Sequence, residues 1–309
     1  MNRELIYKDR YRILRKLGEG GSGAVYMAQD IESNNLVTVK KMKKGAFGEG
    51  YRHEAGMLER IDHPAVPKLI EAFDDAIILE YVPGNSLDKY IRHKKGLRER
   101  EVVRLGREIL EILDYLHNLD EPIIYRDLKP SNIIVKPDGH AALIDFGAAR
   151  VYDSNAAADR FNIGTDGYAA PEQYGSLGQT DPRTDIYCFG NTLKQMQKSG
   201  ATPELCRVID KCTRSDREDR FADCVEIDRA LRLCAVKTAA RRSLKLVKIA
   251  AAAIIVAFII SFGLTHYEAA KSYAFYDAEQ RMPAVKDRLG IAGLKLKNIM
   301  AEGIMVDLK

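Results

Sequence analysis

The feature that most constrains this chain is an uncharged apolar run near its C-terminus, from Ile249 to Tyr267. It contains nineteen residues with no formal charge at pH 7. As an α-helix it would be about 28 Å long, close to the roughly 30 Å hydrocarbon core of a bilayer. Its Ile, Val, Leu and Phe side chains together favour insertion by on the order of 4 kcal/mol. We therefore predict a transmembrane helix over 249–267, with a buried core helix as the alternative.

The charges on either side of this run predict its orientation. The whole chain carries 48 Lys+Arg and 44 Asp+Glu, a net charge of +4. Residues 229–248 contain seven basic side chains and no acidic one, and basic residues beside a span stay in the cytoplasm. We expect a single-pass protein of the cell membrane, cytoplasmic over residues 1–248, with a short extracytoplasmic tail at 268–309. The basic juxtamembrane segment at 236–248 either only stops translocation or also binds anionic lipid of the bilayer.

A glycine-rich segment near the N-terminus indicates a place where the backbone can approach phosphate groups. In RYRILRKLGEGGSGAVYMAQD, Gly18, Gly20 and Gly23 lie between two predicted strands, followed by Val25. Small residues there let backbone amides reach a phosphate chain. A flexible hairpin turn explains the same glycines equally well. The dinucleotide-binding alternative needs a helix after the glycines, whereas GAVYMAQD continues as β-type sequence.

A lysine and a glutamate follow at a spacing that suits a phosphate contact. Lys40 ends the predicted strand NLVTVKKM, and Glu54 lies fourteen positions later in a helical stretch, GYRHEAGMLERI. A lysine that holds phosphates needs an anionic partner to fix its ammonium group. The simpler alternative for Lys40 alone is a solvated charge at the end of a strand.

The central segment carries the most informative residues. The loop in IIYRDLKPSNIIV contains Asp127, Lys129 and Asn132, and IDFG follows with Asp145. Carboxylate and amide oxygens are ligands that Mg²⁺ prefers. An aspartate that accepts a hydroxyl proton must be separate from one that holds a metal, and Asp127 and Asp145 can divide these roles.

Taken together, these motifs resemble those of the eukaryotic-type (Hanks-type) serine/threonine protein kinases, including bacterial forms with one membrane span. The matching motifs run from about Tyr11 to about Leu233. The resemblance implies an α+β, bilobal protein-kinase fold over residues 11–235. It consists of a small β-rich N-lobe at 11–82 and a larger, mainly helical C-lobe at 83–235, followed by the transmembrane helix.

The resemblance also implies the roles of individual residues. Asp127 corresponds to the catalytic base, Lys129 steadies the γ-phosphate, Lys40 binds phosphate with Glu54 as its helix partner, and Asn132 and Asp145 are the Mg²⁺ ligands. The expected ATP-contacting residues are Gly18, Gly20, Gly23, Val25, Thr38, Lys40, Leu79, Glu80, Val82 and Ile134. Outside the nucleotide site, the expected features are Thr165 beside the substrate, Asp185 as a buried anchor, and an ion pair between Glu172 and Arg220.

The chain departs from the family pattern in a few places. Tyr125 stands where many kinases have histidine, and its ring is expected to pack against Phe146. Arg126 would bind an activation-segment phosphate, yet residues 148–164 offer few acceptors. We therefore expect weak dependence on activation-loop phosphorylation, with Ser154 as the best candidate site. The region around QKSGATPEL is short, which predicts a small C-lobe with a reduced docking surface.

The expected activity is that of a non-specific serine/threonine protein kinase. It would use ATP and Mg²⁺, with Mn²⁺ as an alternative metal, and phosphorylate Ser or Thr on protein substrates and on itself. A nucleotide-binding scaffold without catalysis is the rival hypothesis. The small net charge gives no indication of a nucleic-acid partner. A stripe of small residues in the span, Ala253, Ala257 and Ser261, would permit a homodimer.

Overall fold

The computed structural model describes residues 5–20, 23–42, 49–153, 165–174, 179–197 and 201–289. Ser154 lies outside the described residues. The chain divides into two compact units, one ending at Ala239 and the other beginning at Ala240. The predicted α+β bilobal architecture is confirmed in the first unit, which contains a sheet-rich N-lobe and a helical C-lobe. The boundaries predicted at 235, 248 and 267 stay predictions.

The N-lobe is built on a six-stranded antiparallel sheet with the strand order β1-β2-β3-β4-β6-β5. Because successive side chains of a strand point to opposite faces, Val37 and Val39 lie in a small apolar cluster on one face of the sheet. The residues between and after them, Thr38 and Lys40, therefore face the other side. The strands are β1 (Ile6–Tyr7), β2 (Tyr11–Glu19), β3 (Gly23–Asp30), β4 (Leu36–Met42), β5 (Leu69–Ala72) and β6 (Ala76–Glu80).

One helix of the N-lobe, α1 (Glu49–Leu58), packs against β5 and β6. Ala55 and Leu58 belong to the main apolar core of the molecule. Their burial fixes the rotation of the helix about its axis, and Glu54 is held facing inward with 2% of its surface exposed. A carboxylate this deeply buried requires a charged or hydrogen-bonding partner.

The chain enters the C-lobe through a close backbone contact at Gly84. This residue has a φ of +140°, and a Cβ atom there would lie 2.3 Å from the Val135 carbonyl oxygen. Only glycine fits this position without displacing the backbone. The next strand, β7 (Asn85–Ser86), pairs with β9 (Ile133–Val135), which in turn pairs with β10 (Ala141–Leu143). A second small ribbon joins β8 (Ile123–Ile124) to β11 (Arg150–Val151).

The helices of the C-lobe bury one apolar stripe each. In α3, buried residues recur at helical spacing, for example at Val102, Leu105, Ile109, Leu113 and Leu116, which is typical of a helix with one face in the core. The helices are α2 (Leu87–Lys94), α3 (Glu99–His117), α4 (Pro182–Met196) and α5 (Pro203–Cys212), with short 3-10 turns at Pro130–Asn132, Pro171–Gln173 and Arg217–Asp219. Between α4 and Arg220, α5 is the only α-helix among the described residues.

Helix α4 is the central anchor of the C-lobe. It begins with an Asp181 side chain that accepts a hydrogen bond from the Arg183 backbone, followed by proline at its first position. Both features are typical of a helix N-terminus. Asp185, one turn into the helix, is completely buried.

A buried ion pair joins two distant segments of the C-lobe, as the resemblance implied. Arg220 donates from its two terminal nitrogens to the two carboxylate oxygens of Glu172, at 2.6 Å and 2.8 Å. Burial works against the Glu172 charge, but the hydrogen bonds and charge of Arg220, together with hydrogen bonds from the Glu172 backbone and the Thr184 hydroxyl, outweigh it, and the pKa of Glu172 is lowered. Arg220 also donates to the backbone carbonyls of Arg214, Ser215 and Arg183.

The last helix, α6 (Cys224–Leu289), begins within the first unit, where Ile227 and Leu231 are fully buried. Farther along, Ser243–Pro283 is the one stretch of the described residues that is long and apolar enough to cross a membrane, and its apolar window of 18 residues has a mean hydropathy of 2.5. None of this apolar window is buried. Its exposure argues against the core-helix alternative, because a core helix would bury these side chains.

Replacing Arg220 by Met leaves the Glu172 carboxylate buried without its cation. We expect the free energy of unfolding to fall by about 3–5 kcal/mol, because an unpaired buried charge is costly. Urea denaturation of the chain in detergent measures this loss. The double variant that adds Glu172→Gln should recover part of the stability, because no buried charge is then left.

The matched control is Arg217→Met. Arg217 contacts Asp181 at 3.2 Å, but 33% of its side chain is exposed. Its loss should cost less than about 1 kcal/mol. Equal losses for the Arg217 and Arg220 variants would contradict the anchoring role of the Glu172–Arg220 pair.

Candidate active site

Lys40 of β4 lies between the carboxylates of Glu54 and Asp145. Its Nζ lies 2.8 Å and 2.6 Å from the two oxygens of Glu54 and 2.7 Å from Asp145 Oδ1. Burial would lower the pKa of Lys40, but the charges of Glu54 and Asp145 outweigh it and the pKa is raised. The lysine therefore stays protonated. The lysine–glutamate partnership predicted from the sequence is present.

The side chain of Asp145 is more exposed to solvent than those of Lys40 and Glu54. Its side chain is 40% exposed, compared with 8% for Lys40. Burial of this group raises its pKa, but the neighbouring Lys40 outweighs that effect, and the pKa of Asp145 is lowered. Its φ of 69° is in the left-handed region. The result is an ionised carboxylate with part of its surface accessible.

The glycine-rich segment lies next to this ion group through strand pairing. Val25 of β3 is in register with Lys40 of β4. Gly20 donates its backbone N–H to the Gly23 carbonyl at 2.8 Å, which closes the turn between β2 and β3. Gly23 has a φ of +156°, and a Cβ atom there would lie 2.1 Å from the Lys41 carbonyl oxygen. Gly18 pairs with Val25 across the turn.

The other residues expected to contact a nucleotide base lie on adjoining strands. Thr38 of β4 is in register with Leu79 of β6. Glu80 ends β6, and Val82 follows it in the connection to the C-lobe. Ile134 lies on β9, and its Cγ2 atom is so close to Gly84 that a Cβ atom there would lie 2.8 Å from it.

The loop between β8 and β9 gathers polar side chains around Asp127. Lys129 Nζ donates to Asp127 Oδ2 at 2.7 Å, and Asn132 Nδ2 donates to the same oxygen at 2.9 Å. The hydroxyl of Thr165 donates to Asp127 Oδ1 at 2.8 Å and accepts from Lys129 at 2.6 Å. Asn132 is 6% exposed, and its backbone carbonyl accepts from the N–H of Ile144, next to Asp145. The loop residues and the Lys40 group are therefore parts of one site.

The backbone of this loop is fixed by the buried Asp185. Its two carboxylate oxygens accept the N–H groups of Tyr125 and Arg126 at 2.8 Å and 2.7 Å. His117 Nε2 lies 2.8 Å from the same carboxylate. His117 had no predicted role, because nothing in the sequence shows which buried acid lies opposite a helical histidine.

The structure shows the contacts of Tyr125, which departs from the family pattern, and of its neighbour Arg126. The ring of Tyr125 packs edge-on against Phe146 with centroids 5.1 Å apart, as expected, and its hydroxyl donates to the Ile144 carbonyl. Arg126 donates from Nε to the Ala148 carbonyl at 2.7 Å. Burial and the neighbouring charge of Arg150 lower the pKa of Arg126 to about 10.

A further side chain, Gln173, contacts this loop and was not predicted from the sequence. Its Nε2 donates to the Arg126 carbonyl at 2.8 Å, and it is only 4% exposed. Glutamine is a common surface residue, so the sequence gives no signal of this contact.

Comparison with known proteins agrees with this geometry. Residues 11–227 match the protein kinase domain family. The chain is 32% identical over 203 residues to the serine/threonine-protein kinase pkn2 of Myxococcus xanthus, covering 60% of this chain and 24% of the relative. It is 34% identical over 220 residues to the serine/threonine-protein kinase B of a Synechocystis strain, covering 63% and 38%.

A plant protein shows a similar likeness. The chain is 32% identical over 214 residues to the cysteine-rich receptor-like protein kinase 37 of Arabidopsis thaliana, covering 64% of this chain and 32% of the relative. The chain thus spans between about a quarter and two fifths of the length of these relatives. Because the family match extends over more than half of the 309 residues and includes every charged residue of the site, the chain belongs to the protein kinase domain family.

Proposed function

We propose that this chain is a serine/threonine protein kinase that transfers the γ-phosphoryl group of ATP to hydroxyls of protein substrates and of itself. The observation that carries the proposal is the Asp127 carboxylate, which already accepts a hydrogen bond from the Thr165 hydroxyl at 2.8 Å. A base within this distance of a hydroxyl can take its proton. The named activities of the bacterial relatives support the same reaction.

The charged side chains divide the work of phosphoryl transfer. Asp127 accepts the proton of the substrate Ser or Thr, whose oxygen bonds to the γ-phosphorus as the bond to the departing ADP oxygen breaks. Lys129, 2.7 Å from Asp127, places positive charge where negative charge gathers on the transferred group. Lys40, fixed in position by Glu54, binds the other phosphates.

The residues also fit a nucleotide and a divalent metal. Asn132 donates from its amide nitrogen to Asp127, and its amide oxygen, which accepts one long hydrogen bond of 3.4 Å from the Ser131 hydroxyl, has a second lone pair for a metal. Asp145 supplies an ionised carboxylate. Such oxygen donors suit Mg²⁺, and also Mn²⁺. Asn132 and Asp145 would hold such a metal, which would neutralise phosphate charge. We assign ATP binding to Gly18, Gly20, Gly23, Val25, Thr38, Lys40, Leu79, Glu80, Val82 and Ile134.

Replacing Asp127 by Asn removes the base while keeping the shape of the side chain. We expect phosphate transfer to fall about 10²- to 10⁴-fold. The measurement is transfer of labelled phosphate from ATP to a generic basic protein and to the chain itself, in the presence of Mg²⁺. Asp210→Asn, an exposed carboxylate on α5, is the matched control and should leave the rate unchanged.

The same assay distinguishes the kinase from a nucleotide-binding scaffold. The scaffold hypothesis predicts that the unaltered chain binds ATP but transfers no more phosphate than the Asp127→Asn variant. An equal rate in the two proteins would therefore contradict the proposed activity and favour the scaffold.

We further propose that the kinase is anchored by a single span over 249–267, with residues 1–248 in the cytoplasm and 268–309 outside. The proposal is supported by the exposed apolar side chains of α6, such as Ile255, Phe258 and Ile259, which are 60%, 71% and 62% exposed. The basic residues before the span support this orientation. Residues 290–309 of the proposed tail lie outside the described residues.

Arginines placed in the centre of the span should prevent insertion. Each costs about 3 kcal/mol there, so Ile255→Arg with Ile259→Arg exceeds the predicted gain of about 4 kcal/mol. We expect the membrane fraction that resists carbonate extraction to disappear. Ile255→Leu with Ile259→Leu is the matched control and should stay in the membrane. Retention of the arginine variant would contradict the span.

The stripe formed by Ala253, Ala257 and Ser261 is proposed to allow two spans to pair. Ala257→Leu should weaken self-association in a membrane reporter assay, because the larger side chain prevents close helix approach. Ala252→Leu, on another face of the helix, is the control. Unchanged association of the Ala257 variant would remove dimerisation through this stripe.

A further inference from the structure

The backbone of Arg126, directly before Asp127, is held in an unfavourable conformation. Its φ is 65°, in the left-handed region that residues with a side chain seldom adopt. Such a conformation persists only where surrounding groups fix it. One of these groups is Asp185, whose carboxylate accepts the Arg126 N–H at 2.7 Å.

The other backbone group of Arg126 is held by a different part of the chain. Its carbonyl oxygen accepts a hydrogen bond from Gln173 Nε2 at 2.8 Å. This carbonyl belongs to the peptide unit that joins Arg126 to Asp127. The orientation of that planar unit determines the direction in which the Asp127 side chain leaves the backbone.

The amide of Gln173 is itself fixed by two donors. Its Oε1 accepts the Ala170 backbone N–H at 2.9 Å and the Cys188 thiol at 3.5 Å. Because a backbone N–H can only donate, the oxygen of the amide must face Ala170. The amide nitrogen must then face Arg126. A side chain here needs an acceptor at one end and a donor at the other, a combination that neither an ionised glutamate nor a methionine provides.

We propose that Gln173 is a positioning residue for phosphoryl transfer, which holds the Arg126–Asp127 peptide unit so that the Asp127 carboxylate faces the substrate hydroxyl. The proposal rests on the proposed kinase function.

The test compares Gln173→Glu and Gln173→Met with the unaltered chain. The glutamate variant keeps the acceptor for Ala170 and loses the donor to Arg126, while the methionine variant loses both without adding a charge. Gln195→Glu, exposed on α4, is the matched control. For both variants of Gln173 we expect kcat to fall about 10- to 100-fold, with KM for ATP unchanged, because Asp127 is misplaced while the nucleotide residues are not.

The glutamate variant gives a second signature. When its carboxyl group is protonated it can again donate to the Arg126 carbonyl, and burial favours that neutral form. Its kcat relative to the unaltered chain should therefore rise as the pH is lowered from about 8 to about 6. Two neighbouring groups do not change their protonation over this range. The Cys188 thiol stays neutral because burial raises its pKa, and Arg126, with a pKa of about 10, stays positively charged. The methionine variant should show no such rise.

Hydrogen exchange of peptides covering 124–129 provides a readout independent of catalysis. We expect faster exchange in the methionine variant, because the loop has lost the hydrogen bond that Gln173 donates to the Arg126 carbonyl. An unchanged kcat, a loss confined to KM, or unchanged exchange in these peptides would overturn the role of Gln173. If the unaltered chain transfers no more phosphate than Asp127→Asn, the kinase function fails instead, and the exchange measurement still decides whether Gln173 fixes the loop.

Discussion

The buried carboxylate of Asp185 is the interaction on which the active-site loop depends. It is completely buried and accepts hydrogen bonds from the backbones of Tyr125 and Arg126. A carboxylate at this depth is stable only when donors surround it, and these donors belong to the loop that carries Asp127. The position of α4 in the core and the geometry of the loop around Asp127 therefore depend on the same hydrogen bonds.

Electrostatics provide the corresponding constraint in the N-lobe. Lys40 contacts Glu54 and Asp145 together, so one positive charge faces two negative ones. The remaining negative charge lies with Asp145, the most exposed of the three. A bound cation is therefore favoured at this end of the group, while the buried Lys40–Glu54 pair fixes the distance between β4 and α1.

Residues with a chemical task were predictable from the sequence, because their types are restricted by the task. Charge, oxygen ligands and order along the chain made Lys40, Asp127 and Asp145 candidates, and the resemblance to protein kinases implied their roles. Gln173 and His117 could not, because their importance comes from the backbone or side-chain group that lies opposite them. Gln173 bonds to the Arg126 carbonyl across 47 positions of sequence, and no local pattern indicates such a partner.

The sequence by itself determined the apolar run at 249–267, the basic segment before it, and the order of the charged motifs. These are properties of residue identity and local spacing. Only the tertiary structure decided that Lys40 lies 2.7 Å from Asp145, 105 positions away, and that Thr165 donates to Asp127. The physical reason is that contacts between distant segments follow from how α1, α4 and the sheet pack in the core, which no single segment encodes.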